Sequence, residues 1–375
     1  MTGIKPITPP QSLSAATQRQ EWIDCLRGIT MLMVVLVHCE NELFGWHYSQ
    51  LSALSSFGVS FRMPMFFFIS GFFAYSRRIT LNAGDMGSAV VRRMKMTLTP
   101  TLIFLLLSFA FFQYPAGVSF YELLSDPAKH GAWFTIVAFD CFAIAIPFVG
   151  MLNSQGIPRR LTMTLMLIVA VCSLFVHHTI WHNHLRLGQW FAIISNPLIF
   201  ELLFYFLIGM ITRVMLLDRK APYVPLWVAL VLLASSFAVI YWGGPLLSDR
   251  YYDWRISPFV VMFILGLLFL FAHMRAVFNS RNRFGRSLSY LGRNTLQVYV
   301  MHLLIVQVFT LDVVQSFYPW PELDPNVMLP FNIALTIGIT ALCLYLDKLF
   351  ARTRVYRYVY PKPQSRRVTP AAAAA

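Results

Sequence analysis

The sequence is poor in charge. Only 12% of its 375 residues are Asp, Glu, Lys or Arg, while 57% are hydrophobic, among them 33 Phe. Soluble globular chains carry about one quarter charged residues. The deficit argues against a soluble fold, and apolar stretches of about 20 residues, each long enough to cross a bilayer, recur along nearly the whole chain. Paired cysteines are missing too. Cys39, Cys141, Cys172 and Cys343 fall inside apolar stretches and Cys25 stands at the entry to the first, so all five read as reduced small hydrophobes and not as a disulfide or metal framework. No Gly-x-x-x-x-Gly-Lys-Ser/Thr, Gly-x-Ser-x-Gly or His-Glu-x-x-His is present, which leaves ATPase, serine-hydrolase and zincin readings without support. His177, His178, His182 and His184 have no zinc-site spacing, so no metal site is expected; they read as polar residues of an outer loop. The short alternating strands of an outer-membrane barrel are absent as well.

What remains is a run of helices. Apolar stretches lie at about 26–46, 57–76, 97–114, 132–152, 160–177, 192–213, 223–242, 256–274, 293–312 and 328–349. They predict an all-α polytopic membrane protein of about ten transmembrane helices, spanning 21–352. Tails 1–20 and 353–375 are polar or Pro- and Arg-rich, and are expected to be disordered. All but five of the 30 Lys and Arg fall in the two tails or on the same side in alternate gaps; the exceptions are Arg62, Lys129, Arg186, Arg250 and Arg255. The positive-inside rule then places both termini in the cytoplasm. Trp46, Trp181, Trp190, Trp242, Trp254 and Trp320 mark the opposite boundary as an aromatic belt. The formal charge of +14 is thereby an orientation signal and a contact for anionic lipid, with no need for nucleic acid.

Polar groups inside apolar helices carry the functional signal, because they are costly there and need a task or a partner. The stretch Asp24 to His38 has a charged pair one turn apart, Asp24 and Arg27, then an apolar run ending on an imidazole. Eleven residues are close to three helical turns, so Arg27 and His38 share one stripe about 16 Å apart. With Arg27 at the membrane surface, His38 would reach the midplane. His302, Glu201 and Asp140 come to similar depth in their own helices, with Arg62 in the outer part of the second, and a shared polar cavity is the expected arrangement. Asp140 and Glu201 have a second reading as partners that neutralise Arg62 or hold helices together. The run Arg92-Arg93-Met94-Lys95 is either a topology signal or a clamp for a phosphate-bearing donor, since guanidinium forks match phosphate.

Five blocks in order resemble the acyltransferase-3 family of integral membrane acyltransferases. They are Trp22-Ile23-Asp24-x-Leu26-Arg27-Gly28-Ile29 through His38; Phe61-Arg62-Met63-Pro64 through Ile69-Ser70-Gly71-Phe72; the basic Arg92-Arg93 loop before Pro100; His130-Gly131-Ala132-Trp133-Phe134; and Gly292-Arg293-Asn294-Thr295-Leu296 through Tyr299 and His302. The second block is most similar to the periplasmic-glucan succinyltransferase branch. The basic loop departs from the family pattern, with Lys95 where many members carry Arg. The resemblance implies a bacterial inner-membrane enzyme with no permanently bound cofactor. It would move an acetyl or succinyl group from cytoplasmic acyl-CoA to a hydroxyl of a periplasmic or lipid-linked glycan. His38 would be the base or acyl carrier, with Asp24, Arg27 and Arg62 in the catalytic set. Arg92, Arg93 and Lys95 would hold the donor's phosphates, with Glu201, His302, Trp133, Tyr299 and Asp140 supporting or facing the acceptor. The rival readings are a non-catalytic transporter of an acyl donor or glycan, to which midplane polar residues also belong, and a structural membrane scaffold.

Overall fold

A computed structural model describes residues 21–44, 53–126, 129–183, 187–218, 224–243, 254–308, 324 and 326–361. The predicted tail 1–20, residues 362–375 of the other tail, and Trp46, Arg186, Arg250 and Trp320 lie outside this description, whereas residues 353–361 of the tail expected to be disordered are described and carry a helical turn at Tyr356–Val359. Every regular element among the described residues is helical. The principal helices are α1 (Glu21–Phe44), α2 (Ala53–Ala74), α3 (Ala83–Ser108), the short α4 (Phe120–Ser125), α5 (Trp133–Asn153), α6 (Arg159–His182), the short α7 (Gln189–Ile194), α8 (Ile199–Asp218), α9 (Leu226–Gly243), α10 (Ser257–His273), α11 (Arg283–Arg293), α12 (Thr295–Val308), α13 (Leu329–Phe350) and the single turn α14 (Tyr356–Val359).

Six helical segments are long and apolar enough to cross a membrane: Glu21–Asn41, Ala83–Gln113, Trp133–Asn153, Arg159–Ile180, Trp190–Leu216 and Leu329–Phe350. Shorter apolar helices, Ser60–Ala74, Leu226–Ile240, Ser257–His273 and Thr295–Val308, stand at the other four positions where spans were expected. The chain is therefore an all-helical membrane protein with six helices of spanning length among the described residues.

Two expectations need correction. The basic run was expected in a loop, but α3 begins at Ala83 with Asn82 capping it, its side chain accepting from the Gly84 N–H at 2.7 Å. Arg92, Arg93 and Lys95 therefore ride on a helix, which turns about 100° per residue and cannot point all three the same way. The histidine loop is also helical in part: α6 continues to His182, so His177 and His178 extend a helix expected to end there.

In a membrane, helices associate by close packing because the lipid is as apolar as the side chains, and small residues allow that approach. Two crossings show it reciprocally. Gly28 on α1 lies against the Leu288 carbonyl of α11, while Gly292 on α11 lies against the Asp24 carbonyl of α1. Gly71 on α2 meets the Phe206 carbonyl of α8, and Gly209 on α8 meets the Phe68 carbonyl of α2. A methyl at any of the four would collide with backbone. The first crossing joins the Asp-x-x-Arg-Gly block to the Gly-Arg-Asn-Thr block directly, and it presents Arg27 to the start of α12. α11 and α12 are separate helices that meet at Asn294; α12 stands where the span 293–312 was predicted, and α11 fills the gap expected before it.

Candidate active site

α1 and α12 meet at two imidazoles. The His38 and His302 rings stand edge-on with centroids 5.2 Å apart. His302 is fully buried, its Nδ1 is 3.0 Å from the Val298 carbonyl, and its Nε2 has no hydrogen-bond partner. With Nδ1 donating, Nε2 carries an unengaged lone pair. The His38 ring is half-buried. Arg62 on α2 is 8% exposed, and its charge acts on the His38 ring.

A cavity of about 190 Å³ lies between α1, α2, α3, α5 and α12, and neither imidazole lines it. Its walls include Arg27 and Met31 of α1, Ser70 of α2, Arg93 of α3, Phe134 of α5 and Tyr299 of α12. Arg27 Nη2 donates to Thr295 Oγ1 at 2.9 Å, which fixes one end of its guanidinium at the rim. Arg93 stacks over Phe142, 5.5 Å to the ring centroid, and its buried Nε has no hydrogen-bond partner. Arg92 and Lys95 are exposed, so of the basic run only Arg93 reaches the cavity. Pro100 inside α3 has no N–H to offer, so the carbonyl of Met96, also at the wall, lacks its usual helical donor. Tyr299 links cavity and imidazoles: it lines the one, and its ring lies 5.6 Å from that of His302. Phe134 stands against Tyr299 at 4.9 Å. It, and not its neighbour Trp133, forms the aromatic wall. Asp24, 1% exposed, sits at the α1–α11 crossing below Arg27.

The remaining candidates belong to other clusters. Glu201, in the first turn of α8, faces His177 of α6 with 3.7 Å between Oε2 and Nε2. Asp140 on α5 accepts from Ser195 Oγ at 2.7 Å. Close by is Lys129, which sequence reasoning passed over as an outer-loop charge. It is fully buried, and its Nζ donates to the Asp126 carbonyl at 3.4 Å, to the Ser195 carbonyl at 3.5 Å and to the Ala192 carbonyl. Burial lowers its pKa from the usual lysine value, against the opposing charges of Asp126 and Asp140. Two residues on, Gly131 has φ +89° and its carbonyl accepts from the Tyr299 hydroxyl. Glu40, another residue not singled out from the sequence, is fully buried on α1 and accepts from Asn332 Nδ2 of α13 at 3.3 Å. It lies within the predicted 26–46 span, and α1 carries it inside the bundle. Among the described residues no group of three or more His, Cys, Asp or Glu could hold a metal ion.

A family model described as an acyltransferase domain matches residues 20–348, from the first turn of α1 to the last of α13. The chain belongs to the acyltransferase-3 family. Comparison with curated proteins and with solved structures gave no match. Membership in this acyltransferase family makes the chain a multi-pass membrane acyltransferase. It also gives the paired imidazoles and the Arg27–Arg93 cavity their context, since the matched region contains all of them.

Proposed function

We propose that this acyltransferase-3 protein moves an acetyl or succinyl group from cytoplasmic acyl-CoA to a hydroxyl of a periplasmic or lipid-linked glycan, in a bundle of ten spans with both termini in the cytoplasm of a bacterial inner membrane. The observation that carries the reading is the cavity held between two guanidiniums at one end and, through Tyr299, a pair of imidazoles at the other. Arg27 and Arg93 would bind the donor's phosphates as charge-assisted partners. The Met96 carbonyl would accept from an amide of the pantetheine arm. The thioester would then point along α1 toward His38.

In the transfer step the acceptor oxygen forms a bond to the thioester carbonyl carbon and the C–S bond breaks. His38, as a neutral imidazole, takes the hydroxyl proton and returns it to the departing thiolate, so that the products are an ester and CoA thiol. Arg62 would stabilise the oxyanion between these events. His302, whose Nδ1 is anchored on Val298, would hold or share that proton. Asp24 would steady the α1–α11 junction below Arg27, and Glu201 and Asp140, each facing a protein partner, would act as supporting residues that hold helices together.

The test is purified protein in detergent with acyl-labelled acetyl-CoA and succinyl-CoA. Release of CoA thiol, slow without acceptor and faster with glycan, is the expected result. In proteoliposomes, passage of intact donor without thiol release would establish the transporter reading in its place.

A further inference from the structure

After Phe350, where the sequence predicts disorder, the chain makes the single turn α14 and packs it against α3. Val359 and Tyr360 are buried there. The rings of Phe350, Tyr356 and Tyr360 lie against one another, with the two tyrosine centroids 5.0 Å apart. Burial of aromatic surface holds in place a turn too short to form alone. These side chains join the same core as Val34 and Val35 of α1 and Val298 and Tyr299 of α12.

The turn also meets a buried acid. Asp347, in the last turn of α13, is 4% exposed, and its Oδ1 has no hydrogen-bond partner. Burying a carboxylate is costly unless donors face it. The next residue, Lys348, is exposed and lies over the Tyr290 ring, with Nζ 5.2 Å from the centroid. The Tyr356 hydroxyl faces the Asp347 carboxylate as a donor and the Gln297 side chain as an acceptor. One phenol thus spans the end of α13 and the start of α12. Gln297 is two residues from Thr295, whose hydroxyl accepts from Arg27, and both Thr295 and Arg27 line the donor cavity.

We propose that Tyr356 is a positioning residue for the donor site: it latches the C-terminal turn to the first turn of α12 and so holds the Thr295–Arg27 rim in its binding geometry. The inference rests on the acyltransferase reading above and deepens it. Tyr356 does not line the cavity. It acts through Gln297 and the stretch of helix that carries Thr295. The aromatic contacts seat the turn with or without the hydroxyl, so removing that one oxygen loosens the rim and leaves the turn in place. Such coupling is reciprocal: a latch that favours donor binding is itself favoured by bound donor.

The experiment uses purified full-length protein with acetyl-CoA. In the wild type, saturating acetyl-CoA should slow amide hydrogen exchange at Tyr358, Val359 and Tyr360, whose N–H groups close the turn, by at least about threefold. Tyr356→Phe keeps the ring and should raise the KM for acetyl-CoA about threefold to tenfold with kcat unchanged. Gln297→Leu should do the same, and the double variant should add nothing further, because both changes remove one contact. A Tyr356→Phe protein with a lower melting temperature and a wild-type KM would make the phenol merely structural and overturn the latch. Exchange that is equal with and without acetyl-CoA, in protein that releases CoA thiol, would also overturn it and leave the acyltransferase reading standing. Release of thiol from neither acetyl-CoA nor succinyl-CoA would overturn both. The wild-type exchange comparison decides the matter if neither variant folds.

Discussion

Two regions of this molecule bury charge, and they do it differently. Around Lys129, the ammonium donates to backbone carbonyls and Asp140 accepts from Ser195; Glu201 stands opposite His177. These charges have protein partners facing them. Around Arg27 and Arg93, the guanidiniums line a cavity: Arg27 donates to the Thr295 hydroxyl and lies over Phe73, and Arg93 rests on Phe142. A partnered buried charge holds helices together. A charge that borders a cavity is also placed to bind a ligand. The comparison teaches that an ionisable group in an apolar helix marks a structural joint or a ligand site according to what faces it, and depth alone does not separate the two.

Variants that act on one region and spare the other sharpen this contrast. The largest effect is expected at the imidazoles: His38→Ala should lower acyl transfer by about 10²–10⁴-fold, measured as label moved to acceptor, with the protein still purified as a folded species. Next is Arg93→Ala, which should raise the KM for acyl-CoA roughly tenfold to a hundredfold, because a hydrogen bond to a charged group contributes about 1.5–3 kcal/mol. Lys129→Met belongs to the other region and should act on stability. The carbonyls it leaves unpaired cost about 1–3 kcal/mol, read as a lower melting temperature in detergent with an unaltered KM for acyl-CoA. A raised KM there would place Lys129 in the donor site and break the division. The smallest effect is Arg92→Gln. It is one residue from Arg93 but exposed, and should shift stability by no more than about 0.5 kcal/mol and leave donor affinity alone.

Much of the helix content and the central pair could be read from the sequence, because both rest on short-range regularities. Apolar length marked the helices, and the three-turn spacing from Arg27 to His38 put both on one stripe. The Tyr299–His302 block supplied the second ring, and the structure brings it against the first. Other features depend on what lies across a helix interface, which no single stretch records. Glu201 looked equivalent to His38 by depth, yet its facing helix carries His177. Lys129 looked like a loop charge, because nothing local shows that the carbonyls of Ala192 and Ser195 converge on it. Arg92, Arg93 and Lys95 looked like one clamp until helical phase separated them. The α1–α11 crossing was visible only as two motifs, each with a glycine whose purpose is the other's backbone.

The donor cavity itself admits a direct measurement. Ser70 lines it from α2, so Ser70→Cys, in a background where Cys25, Cys39, Cys141, Cys172 and Cys343 are alanine, should react with a small thiol reagent. Saturating acetyl-CoA should block that labelling. Labelling that proceeds at the same rate with and without acetyl-CoA would contradict the assignment of this cavity to the donor.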